Sequence, residues 1–213
     1  MKKRKIFLTA IFLLTAFALW TALVALIDVQ PIGPMGSKVG FATLNQWFHA
    51  LTGMHMALYT ITDRLSVIPI GVAAGFAVLG LCQWIKRRKL VAVDTDILSL
   101  GVFYITVVTV YVFFELFVIN VRPIQIDGNL EASYPSSTTV LVLCVMSTAI
   151  IQLKKRLKSK SSLVIAITAI VIFTAFMLVG RLLSGVHWLT DIIGGALISV
   201  GLITLYRAFT RSE

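Results

Sequence analysis

Six stretches of this chain are long and apolar enough to cross a bilayer, and no other feature constrains its fold as strongly. A helix rises about 1.5 Å per residue, so a hydrocarbon core about 30 Å thick takes about 20 residues. The runs are Ile6–Ile27, Leu65–Ile85, Ile97–Val121, Tyr134–Leu153, Ser161–Gly180 and Trp188–Tyr206. Four of them carry no charge, while the third contains Glu115 and the sixth contains Asp191. With 58% hydrophobic residues, 13% charged residues and a mean hydropathy of +0.95, an ordinary soluble domain is excluded. Backbone polar groups in hydrocarbon must be satisfied within their own segment, so the expectation is an all-α bundle of six transmembrane helices. No repeat or low-complexity linker divides the chain, which is read as one domain over residues 1–213.

The net charge of +10 would suggest a nucleic-acid partner in a soluble protein. Here most basic residues lie between alternate runs. Lys2, Lys3, Arg4 and Lys5, then Lys86–Lys89, then Lys154, Lys155, Arg156, Lys158 and Lys160, then Arg207 and Arg211 fall on one side. Lys38, Arg64, Arg122 and Arg181 fall on the other. Basic loops are retained in the cytoplasm, so both termini are expected there, in a multi-pass cell-membrane protein without a nucleic-acid partner. The first run follows a basic start but is longer than the usual signal core and is read as a retained anchor. A seventh uncharged stretch, Val39–Thr62, includes Asn45, Gln46, His49 and His55. Were it to span, the Lys86–Lys89 cluster would change sides, so it is expected as an outer interfacial or re-entrant helix between the first two spans. Cys82 and Cys144 sit inside apolar runs and read as packed thiols.

Three features fall on the outer side of the later helices. Arg122-Pro123 closes the third run, with Glu115 seven residues earlier; Ser133–Thr139 opens the fourth; Gly180–Asp191 joins the fifth to the sixth. His187 and Asp191 are four apart, so on a helix they share a face, and the carboxylate can fix the imidazole tautomer while the other nitrogen attacks. Arginine binds phosphate oxygens through a forked set of hydrogen bonds, and a permanent charge near hydrocarbon needs an anionic partner or an interface. Pro135 with Ser136, Ser137 and Thr138 opens a helix whose free amides and hydroxyls accept an anion. Together these groups describe a site for phosphoryl transfer. No metal or other cofactor is expected, because no histidine and carboxylate cluster supplies enough ligands.

These residues resemble the motifs of the type 2 phosphatidic acid phosphatase (PAP2) superfamily, which also includes vanadium haloperoxidases. The pattern has three parts: Lys, six residues, Arg-Pro; then Pro-Ser-Gly-His; then Ser-Arg, five residues, His, three residues, Asp. Arg122-Pro123, Pro135-Ser136 and Arg181 with His187 and Asp191 match it. The resemblance implies that His187 forms a phosphohistidine, Asp191 orients it, and Arg122, Arg181 and Ser136 hold the phosphoryl oxygens. It implies a lipid phosphatase or pyrophosphatase whose partner is a membrane lipid phosphate or polyprenyl diphosphate. Glu115 replaces the family lysine, Ser137-Thr138 replaces Gly-His, and Gly180 replaces the serine before Arg181. The family's general acid is therefore absent, a loss that typically costs about 10²- to 10⁴-fold. A diphosphate, whose leaving group needs no proton, fits that loss. Glu115, almost two helical turns before Arg122 and about 10 Å deeper on the same face, is the candidate replacement acid, or else the ion-pair partner of Arg122 or Arg181. The alternative function is a catalytically impaired protein that binds or moves lipid phosphate on the same fold.

Overall fold

The computed structural model describes residues 2–210. Met1 and residues 211–213, with Arg211 of the basic set, lie outside the described residues, as does the side chain of Lys2. Eight α-helices follow one another: α1 Lys2–Leu26, α2 Ala42–Thr52, α3 Met56–Leu65, α4 Val67–Arg87, α5 Thr95–Leu116, α6 Ser137–Arg156, α7 Lys160–Leu183 and α8 Leu189–Thr210. Among the described residues, six segments are long and apolar enough to cross a membrane, α3 and α4 together forming one of them from Met56 to Arg87.

The bundle is built around α6 and α8. Helix α8 packs against α1, α5, α6 and α7, and α6 also contacts α4, α5 and α7. A core of Phe17, Leu100, Phe103, Phe114, Tyr134 and Leu202 fills the space between them. The outward faces of the other helices expose Phe12, Leu19, Val67, Ile105, Ile165 and Ile172, as expected where lipid tails are the solvent. Cys144 is buried, but Cys82 is exposed on α4, so only one of the two thiols is packed.

Polar groups close the bundle at its basic end. Arg156 Nη1 donates to Asp96 Oδ2 over 3.0 Å, buried Gln152 donates to Tyr206 Oη over 2.7 Å, and Arg87 pairs with Asp94 over 2.8 Å. Two of the basic clusters, those of Arg87 and Arg156, are thereby placed together, opposite the end that carries residues 27–55, 117–136 and 184–188.

Two expectations need correction at that opposite end. The Val39–Thr62 stretch is two helices instead of one, broken at Gly53–His55, where Gly53 has φ +69°. The third apolar run stops being helical at Leu116, not Val121. Val118, Ile119 and Val121 keep the segment hydrophobic, yet β-branched residues suit extended backbone equally well. Val121 forms an isolated antiparallel bridge with Ala132, and Arg122 N donates to Glu131 O over 3.0 Å. Helix α6 accordingly starts at Ser137 rather than Tyr134, and Arg122 sits in a 20-residue loop rather than at a helix end.

Candidate active site

The first turn of α8 organises the site. Asp191 is fully buried, and its Oδ2 accepts the Trp188 N–H over 2.9 Å, the reach-back bond by which an acid in a first turn caps its own helix. Asn120 donates to Oδ1 over 3.4 Å, and Asp191 O accepts the Ser136 N–H over 3.1 Å, which ties the start of α6 to the start of α8. Asn45 of α2 bonds both the side chain and the backbone of Thr190, over 3.0 and 3.2 Å. A carboxylate held by these donors is fixed in place.

His187 lies one residue before the cap of α8, in the loop 184–188, and not on the helix itself. Its Nδ1 is nevertheless 3.6 Å from Asp191 Oδ2, slightly beyond a hydrogen bond because that oxygen is occupied by the Trp188 amide. The ring is 4% exposed, and Nε2 has no partner. Burial holds its pKa below the usual histidine range; Asp191 opposes this, while nearby Arg122 and Arg181 reinforce it. The imidazole is therefore neutral at neutral pH, which is the form that can attack.

The loop is covered by the turn between α2 and α3. The His55 N–H donates to Ser184 O over 2.9 Å, and His49 Nε2 lies 3.1 Å from Gly185 O. His49 also packs against Trp188, whose Nε1 donates to Val121 O over 2.7 Å. Both outer histidines are thus spent on backbone carbonyls, His55 on Thr52 O as well.

Two arginines complete the arrangement. The Arg181 side chain is 2% exposed, and its Nη2 donates to Thr138 Oγ1 over 2.7 Å and Asp63 Oδ1 over 2.9 Å, leaving Nε and Nη1 buried without partners. Arg122 Nε is 3.0 Å from Glu131 Oε2 but poorly aligned for a hydrogen bond, and its Nη1 is buried without a partner. Both guanidinium carbons lie near the Tyr59 ring, at 5.0 Å for Arg181 and 5.9 Å for Arg122. Buried donors are normally satisfied, so several unspent N–H groups beside one histidine point to an anion.

The remaining candidates fall as follows. Ser136 caps α6, accepting from Thr139 Oγ1 over 3.1 Å and more weakly from its amide. Ser137 and Thr138 line a groove of about 390 Å³ between α4, α5 and α6, with Asp63, Tyr111, Glu115 and Ile70 on its other walls. Glu115 is exposed in that groove. The expected ion pair of Glu115 with either arginine is not formed: Glu131 and Asp63 take those places. The shared face with Arg122 is lost too, because the helix ends at Leu116. Tyr59, Asp63, Asn120 and Glu131 were not singled out in the sequence. The usable signal was the inventory of acids away from the basic loops, since two arginines near hydrocarbon call for two counter-charges.

Six apolar helices that close, at one end, over a buried His–Asp pair and two arginines define a multi-pass membrane protein with its polar chemistry at one face. The PAP2 superfamily model matches residues 102–212, more than half of the chain, and the protein belongs to that superfamily. No curated protein matches the sequence. Among solved structures the chain is similar to a transmembrane PAP2 type phosphatidylglycerolphosphate phosphatase from Bacillus subtilis, with a TM-score of 0.60, 16% identity and 94% of each chain covered. That likeness is one of fold, and it extends well beyond the residues the family model matches.

Proposed function

We propose that the protein hydrolyses a lipid phosphate or diphosphate through a phosphohistidine on His187. The observation that carries this reading is the set of buried, unpartnered nitrogens on Arg122, Arg181 and His187. Arg122 Nη1 with Arg181 Nε and Nη1 bind the phosphoryl oxygens, supported by Ser136, Ser137 and Thr138 at the start of α6. The neutral His187 Nε2 supplies its electron pair to phosphorus as the bond to the leaving oxygen breaks, and Asp191 stabilises the charge that develops on the ring. Water then cleaves the P–N bond, releasing inorganic phosphate and restoring the imidazole. The Bacillus neighbour acts on a phosphatidylglycerolphosphate, a phosphate above an apolar tail, which fits the class of substrate proposed for this chain. The basic clusters support an orientation with the termini in the cytoplasm and the site on the extracytoplasmic face.

The deciding experiment is phosphate release by the purified protein from a panel of lipid mono- and diphosphates. Release from at least one supports the enzyme, whereas binding of lipid phosphates without release from any assigns the chain to lipid-phosphate binding.

Glu115 shares the groove with Thr138 and is free of either arginine, which favours its role as replacement acid over that of a structural ion-pair partner. Glu115→Gln is expected to lower monophosphate turnover by about 10²-fold or more while sparing diphosphates, whose leaving group needs no proton. Equal losses on both would assign Glu115 to structure.

A further inference from the structure

Arg181 is held on three sides, and two of them come from α3, a helix outside the region that the family model matches. The Tyr59 ring covers a face of its guanidinium, and Asp63 Oδ1 takes Nη2 on an edge that Thr138 Oγ1 also binds. Tyr59 and Asp63 are four residues apart, so one face of α3 presents both. Nε and Nη1 have no partner. A guanidinium held at Nη2 and over one face cannot turn freely, so its unspent Nε–H and Nη1–H groups are aimed in advance at two separate oxygens.

The close approach of α3 to α7 depends on Gly180, which precedes Arg181. A Cβ at Gly180 would lie 2.6 Å from Thr62 Cγ2. Thr62 is fully buried, and its hydroxyl donates to Leu58 O and Tyr59 O over 2.9 and 3.0 Å, which locks the rotamer and leaves the methyl no way aside. Any side chain at position 180 therefore pushes α3 outward and carries Asp63 away from Arg181.

We infer that Asp63 is a positioning residue: by holding Nη2 it orients Arg181 so that the free Nε and Nη1 donors meet the phosphoryl oxygens, and Gly180 is what admits α3 to do so. The inference rests on the phosphate-site reading above. A carboxylate that served only as a counter-charge would behave in the opposite way, because it weakens anion binding. Removing it would then tighten the site, whereas removing an orienting group loosens it. The sign of the change therefore separates the two roles.

The test is the affinity of the purified protein for orthovanadate, a phosphate-shaped oxyanion, read by thermal shift or calorimetry without any need for turnover. Asp63→Ala is expected to bind about 10- to 100-fold more weakly, the range set by one hydrogen bond to a charged group. Asp63→Asn, which keeps an acceptor oxygen toward Nη2, is expected to recover most of that loss. Gly180→Ala is expected to weaken vanadate as Asp63→Ala does, and Thr62→Ala in the same chain to restore it by clearing the methyl. The Asp63 side chain is 54% exposed, so its variants fold and decide the matter even where Gly180→Ala does not. A wild type that binds no vanadate sinks the phosphate-site reading and this inference with it. A wild type that binds, beside an Asp63→Ala variant that binds as tightly or more tightly, sinks the inference alone.

Discussion

His187→Ala is expected to reduce phosphate release by about 10⁴-fold or more while the protein keeps its fold and its affinity for inorganic phosphate within a fewfold. The asymmetry follows from the division of labour in the site. In the proposed mechanism the arginines carry the oxyanion, and the imidazole contributes an electron pair that the other two histidines do not replace, since His49 and His55 are both engaged with backbone carbonyls. The pH profile of kcat/KM tests the same assignment from another direction. Burial lowers the His187 pKa, so the attacking neutral form persists below the ordinary histidine value of 6.5. Protonation removes the nucleophile, and the acid limb contributed by this ring therefore lies below 6.5, with activity lost as pH falls through it. Exposing the ring by opening the covering turn is expected to move that limb upward. Retention of phosphate release in His187→Ala, at rates near wild type, would place the nucleophile elsewhere.

The fold was legible because lipid imposes a coarse rule. Twenty apolar residues read as a span whatever their order, so all six crossings emerge from the sequence. The same rule is blind to backbone conformation: residues 117–121 are as hydrophobic as the helix before them, yet they turn away at Leu116 so that Asn120 can reach Asp191 and Val121 can accept from Trp188. The inference that placed Glu115 beneath Arg122 fell with that boundary. His187 with Asp191 was legible for a different reason. The spacing brings the two groups together whether the histidine is on the helix or one residue before its cap, because the loop and the first turn share one short stretch of chain. The clamp on Arg181 was not legible, since it depends on α3 docking against α7, and a contact between residues 63 and 181 leaves no local pattern. Asp63 follows an uncharged stretch with nothing local to mark it as a partner of Arg181.

Gly185→Ala is expected to destabilise the protein by about 2–5 kcal/mol and to cost about 10²-fold in turnover. Two effects add at this position. Its φ of +72° is a conformation that alanine resists, and the new Cβ would lie 2.3 Å from Gly53 O and 2.9 Å from Met54 Cα. Both obstacles are backbone, so no side-chain rotation relieves them; the α2–α3 turn must lift from the loop. Lifting it breaks the His55 N–H bond to Ser184 O and the His49 contact with Gly185 O, and these hold the loop two residues before His187, the proposed nucleophile. Stability and catalysis therefore fall together, measured as the thermal unfolding temperature in detergent and the rate of phosphate release. Gly101→Ala is the matched control: a Cβ there meets nothing within 4 Å, and alanine favours a helix, so that variant should be neutral or slightly more stable. If Gly185→Ala instead unfolds like wild type and turns over at the same rate, the covering turn is a bystander, and the 184–188 loop holds His187 without it.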